Sequence, residues 1–77
     1  MIDFELFIDD ARYSVPTLYL VSAASEVRAR AIAAKALNDS EHHQGVELLR
    51  NGERVFALGS FALLGRRAED NREAAAL

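Results

Sequence analysis

Asp39, Glu41, His42 and His43 are the residues of this chain whose types best suit a transition metal. Their spacing does not. Adjacent histidines on a strand point to opposite faces, no His-x-x-x-His places two on one helical face, and no thiolate is available to assist. The segment reads as a solvated loop between a helix and a strand. Asp9-Asp10 with Arg12 resembles half of a cation loop, but lacks the Asp-x-Asp-x-Asp-Gly spacing and distal glutamate of a calcium site. It reads as a turn with solvated carboxylates. Ser14, Ser22, Ser25, Ser40 and Ser60 have neither the context of a nucleophile elbow nor a base to activate them. Gly45, Gly52 and Gly59 fall at strand ends rather than in a phosphate loop. Gly65-Arg66-Arg67 is the one basic spot, and Glu69 and Asp70 beside it make it read as a solvated helix face. The expectation is a protein that is not an enzyme, with no cofactor, no metal and no evident small-molecule ligand.

Composition narrows the class further. The chain has 77 residues, 51% of them hydrophobic, a formal charge of −3 and no cysteine. That is one small globular domain rather than a disordered segment. So short a chain buries a modest fraction of its surface, and without cysteine neither disulfides nor a thiolate metal site can reinforce it. Oligomerisation remains as the supplement. The acidic balance argues against general binding to nucleic acid or to an anionic membrane. The start, Met1-Ile2-Asp3-Phe4-Glu5, lacks the basic and apolar regions of a signal peptide. No apolar run reaches the roughly 18 residues of a membrane span. With the lack of cysteine, a cytoplasmic location is expected.

The elements that position these residues follow from periodicity. In residues 2–9, Ile2, Phe4, Leu6 and Ile8 alternate with Asp3, Glu5, Phe7 and Asp9, as in a half-buried strand. A polar connection ends at Pro16, and Thr17-Leu18-Tyr19-Leu20-Val21-Ser22-Ala23 supplies a second strand, completing a hairpin. Ser25 reads as a helix N-cap with Glu26 in the first turn. Ala29, Ile32, Ala33, Ala36 and Leu37 then form a stripe facing the core, and the helix ends near Asn38-Asp39-Ser40. Residues 46–50 and 53–58 flank Asn51-Gly52, a two-residue hairpin turn in which both residues take positive φ. Continued without interruption, that register sets Arg50 against Glu53, Leu48 against Val55 and Val46 against Ala57. On the other face Leu49 meets Arg54 and Glu47 meets Phe56.

The expected fold is therefore α+β, of ββαββ order. Two hairpins form a four-stranded, mainly antiparallel sheet with one helix on one face. Residues 1–59 are the domain, and residues 60–77 an extension, partly helical or disordered. The helix covers Ile2, Phe4, Leu6, Ile8, Tyr19, Val21, Val46, Leu48, Val55 and Ala57. Phe7, Leu18, Leu20, Leu49, Phe56 and Leu58 fall on the opposite face, a larger apolar patch than a soluble monomer usually exposes. The C-terminal segment, a second copy of the chain or another protein would cover it, and a homodimer is the leading expectation.

The passage from Ala23-Ala24-Ser25-Glu26-Val27-Arg28-Ala29 through Gly45-Val46-Glu47-Leu48-Leu49-Arg50-Asn51-Gly52-Glu53-Arg54-Val55 resembles small uncharacterised bacterial ββαββ proteins. In those, an acidic, alanine-rich helix precedes a hairpin of similar pattern. Leu49 stands where an aromatic is common in the group. The resemblance implies a fold and no activity, so no functional residue carries over. The expected function is a protein-interaction domain that self-associates through the uncovered sheet face. The alternative is a nucleic-acid-associated module using Phe7 and Phe56 as stacking platforms beside Arg54, although Asp3, Glu5 and Glu47 on that face would repel phosphates.

Overall fold

The structure is a computed structural model that describes residues 1–64. The expectations for Gly65-Arg66-Arg67, for the charged run of residues 69–73 and for the alanine-rich tail lie outside the described residues. So does the end of the helix anticipated over residues 60–68. The described elements are β1 (Ile2–Asp10), β2 (Thr17–Ala23), α1 (Glu26–Asn38), β3 (His43–Arg50), β4 (Glu53–Gly59) and α2 (Ser60–Leu64). The four strands form one antiparallel sheet in the order β2-β1-β3-β4, which is the expected ββαββ architecture.

α1 begins where the sequence places it. The Ser25 hydroxyl accepts a 3.1 Å hydrogen bond from the Arg28 amide, satisfying one of the free donors of the first turn. Glu26–Arg30 and Lys35–Asp39 ion pairs, one helical turn apart, line its exposed side. Ala29 and Ala33 are fully buried, and Ile32, Ala36 and Leu37 pack beside them. With alanine at the two central contact positions, the helix can lie close against Phe4, Val46 and Leu48, the largest fully buried side chains.

The turn between β3 and β4 has the required conformation, with Asn51 at φ 53° and Gly52 at φ 80°. Beyond it the register departs from the expectation. Arg50 faces Glu53 and Leu49 faces Arg54, but Leu48 faces Phe56, Val46 faces Leu58 and Glu47 faces Ala57. One extra residue, Val55, is accommodated in β4 as a bulge. A single added residue reverses the facing of the strand beyond it. Phe56 and Leu58 therefore pack with Val55 against the helix-side core, and Ala57 turns to the opposite face. The placement of Phe56 and Leu58 on the uncovered face is corrected accordingly.

Gly59, at φ 67°, turns the chain out of β4 into α2. The short helix lies on the face opposite α1. A side-chain carbon at Gly45 would meet Ser60 Oγ and come within 2.7 Å of the Ser60 amide nitrogen. Ser60 Oγ donates a 2.6 Å hydrogen bond to Asp9 Oδ2, and Phe61 is only 8% exposed. The chain thus covers the β3–β4 half of its second sheet face itself.

Candidate interaction surface and polar groove

The residues expected at an interface divide into two groups. Leu18 and Leu20 stand on β2 at 48% and 82% exposure, while Phe7 on β1 and Leu49 on β3 are half-buried on the same face. The rungs of the sheet place Leu20, Glu5, Leu49 and Arg54 in one row. Leu18, Phe7, Glu47 and Ala57 form the next. Phe56 and Leu58 belong to the other face. Arg30 of α1 lies over the Phe56 ring at 5.7 Å from its centre.

The two edges of the sheet differ in kind. β4 carries Glu53 and Arg54, has a bulge, and leads directly into α2. Arg54 is held by Glu47 across the pair, Nε to Oε2 at 2.7 Å. Charges, bulges and covering segments are how sheets prevent edge pairing. Among the described residues, β2, the other edge, has none of them. It contains no charged residue, and its pairing with β1 runs from Ile2 opposite Ala23 to Ile8 opposite Thr17 without a shift. Of the seven large apolar side chains exposed among the described residues, five lie in residues 13–20: Tyr13, Val15, Leu18, Tyr19 and Leu20. Tyr19 was expected in the core. It does face the helix side, opposite Leu6, but at the margin of the sheet it remains half exposed.

A second site lies where β1 ends and β3 begins. Asp10 is not a solvated turn residue. It is the last residue of β1, 4% exposed, and the register shift after Asp9 sets it beside His43. Its Oδ1 accepts from the Arg12 amide at 2.9 Å and from Arg12 Nε at 3.0 Å, and its Oδ2 accepts from Arg12 Nη2 at 2.7 Å. This two-pronged contact holds the carboxyl well below the usual carboxylate range, outweighing the opposing effect of burial. Arg12 also lies 5.6 Å from the centre of the Tyr13 ring.

His43 was expected in a solvated loop. Instead it opens β3 with its side chain 15% exposed. Its Nδ1 lies 2.7 Å from the Ala36 carbonyl oxygen, so Nδ1 carries a proton and donates it. Nε2 then faces Asp10 Oδ2 at 3.6 Å. Glu41 is solvated as expected, and His42 is half-exposed. Among the described residues no three metal-ligating side chains converge.

Sequence reasoning missed the Asp10–Arg12–His43 cluster because His43 is thirty-three positions from Asp10. A local signal existed in Asp-x-Arg, where a carboxylate can accept both the amide and the guanidinium of the residue two places on. Among the described residues, no helix is long and apolar enough to cross a membrane. Comparison of the chain with protein-family models, with curated proteins and with solved structures returned no match.

Proposed function

We propose that this domain is a non-enzymatic protein-interaction module that self-associates through β2 and the open half of the sheet face beside it. One observation carries the reading: β2 is an edge strand with no charge and no bulge, and Leu18, Tyr19 and Leu20 stand exposed along it. Self-pairing suits this strand. Placed antiparallel to a second copy about Leu20, it sets Tyr19 opposite Val21 and Leu18 opposite Ser22, with no like charges facing. The product is an eight-stranded sheet across a two-fold axis, with each apolar contact made twice. Covering a leucine as exposed as Leu20 is worth roughly 1.5–3 kcal/mol.

The nucleic-acid alternative draws less support. Phe56 lies beneath Arg30 on the helix side, Arg54 is tied to Glu47, and Asp3 and Glu5 remain on the face where phosphates would approach.

The test is sedimentation equilibrium across a concentration series, with circular dichroism in parallel. The wild-type chain should show a concentration-dependent mass tending to twice that of the monomer. Leu20→Asp should remain monomeric with an unchanged spectrum, because the substituted side chain is largely solvated in the single chain. A wild-type chain that stays monomeric at high micromolar concentration sinks the proposal, as does a Leu20→Asp variant that associates normally.

A further inference from the structure

The open half of the second sheet face has the width of one helix. α2 packs on β3 and β4, and a strip running from β2 across β1 to β3 lies beside it. Neighbouring strands are about 4.8 Å apart, so three of them span roughly 10 Å, close to the diameter of a helix with its side chains. Leu18 and Leu20 on β2, Phe7 on β1 and Leu49 on β3 make the strip apolar. Strand pairing about Leu20 would engage the β2 edge and set two such strips side by side, with no layer over either.

The charge on the strip is of one sign, and it selects among occupants. Asp3 and Glu5 stand on it, and among the described residues neither is paired with a cation. Asp3 accepts a 2.7 Å hydrogen bond from the Ser22 hydroxyl. Arg54, at the end of the Glu5 row, is held by Glu47. A second copy laid face to face would set carboxylates against carboxylates. Residues 65–77 hold three arginines and three acidic side chains, so they offer no net charge in return. A helix with basic residues flanking an apolar stripe complements both features of the strip.

We propose that this strip docks a cationic amphipathic helix of another protein. Apolar residues of that helix, spaced i, i+3, i+4 and i+7, cover Leu18, Phe7, Leu20 and Leu49, while its lysines or arginines pair with Asp3 and Glu5. The proposal goes beyond self-association and does not require it, because the strip is complete within one copy.

The experiment is a titration of the isotope-labelled full chain with a synthetic leucine–lysine helix, followed by amide chemical shifts. A peptide of about 14 residues is roughly 21 Å long, close to the length of seven-residue β2. The same peptide with glutamate in place of lysine is the control. Saturable shifts should appear on β1, on β2 and around Leu49, and should weaken with added salt. The glutamate peptide should bind at least about tenfold more weakly. Glu5→Lys should weaken the lysine peptide by about tenfold, an attraction having become a repulsion, and Leu18→Ser by about fivefold for lost apolar contact. Leu18 is 48% exposed, so its variant remains informative if Glu5→Lys does not fold. Sedimentation of the same samples separates the two proposals. A chain that is monomeric alone and binds the peptide refutes only the dimer, whereas one that pairs and does not bind it refutes only the docked helix. Shifts that do not saturate or that centre on α1 overturn the proposal, as do equal affinity for the glutamate peptide and unchanged affinity in both variants. Overhauser contacts to Phe7 from residues 65–77 or from a second copy, in the chain without peptide, would name a different occupant and overturn it too.

Discussion

Arg30 on α1 and Phe56 on β4 meet as a cation over an aromatic ring, with the guanidinium carbon 5.7 Å from the ring centre. The contact joins the exposed side of the helix to a strand whose facing is set by the bulge at Val55. Phe56→Arg should therefore act on folding rather than on association. Losing a partly buried phenylalanine and placing a second cation beside Arg30 should cost about 2 kcal/mol or more, read as a lower urea midpoint. If Phe56→Arg keeps wild-type stability and becomes monomeric instead, Phe56 belongs to the interface after all.

The hairpin turn isolates a purely conformational effect. A side-chain carbon at Gly52 would meet nothing within 4 Å, so space is no obstacle. Backbone torsion is. Gly52→Val should destabilise the domain by about 1–2 kcal/mol, because a β-branched residue resists positive φ. Equilibrium unfolding of the two proteins gives the comparison, and equal stability would refute the type of turn assigned.

Gly59 combines that constraint with crowding. Its φ is also positive, and an added carbon would strike the Gln44 carbonyl oxygen and lie 2.9 Å from Gly45 Cα. Both contacts are with backbone, which cannot swing aside. Gly59→Ala should therefore cost more than the Gly52 substitution, upward of about 2 kcal/mol. It should also expose the Phe61 ring that α2 buries. Faster amide hydrogen exchange in β3 near Gly45, measured against the Gly52 variant, would report the loss of that docking.

Asp10 gives the fold a signature in acid. Folding lowers its pKa, chiefly through the Arg12 side chain. A group acidified by folding contributes its stability above the ordinary carboxylate value of about 3.9, and that stability is lost as pH falls through the folded value. Asp10→Asn should thus be less stable than wild type at neutral pH, and the gap should narrow below the ordinary value. Urea midpoints on either side of that value provide the check. A gap that stays constant would show that the ion pair is not its source.

Short-range periodicity made most of this fold legible. The stripe from Ala29 to Leu37, the Ser25 cap and the Asn51-Gly52 turn each depend on neighbours within a turn or two of chain. The bulge does not announce itself in the same way. Val55, Phe56, Ala57 and Leu58 are all apolar, so either facing of β4 satisfies the alternation, and only packing against α1 and α2 selects one. The groove was hidden for a related reason. Asp10 and His43 meet across two strands that are adjacent in space but separated in sequence by β2 and α1, and the sheet order that unites them cannot be read from either segment alone.

The contrast between the two sheet edges also bears on stoichiometry. A chain with two open edges could add strands at both, and repeated addition would build a filament. Here the bulge and the charges of β4 disfavour pairing at one edge, and β2 is the other. Joining two copies through β2 would use up that edge in each. In the proposed dimer growth would then stop at a pair, and an uncharged edge that would otherwise invite fibrous aggregation would serve as a self-limiting connector.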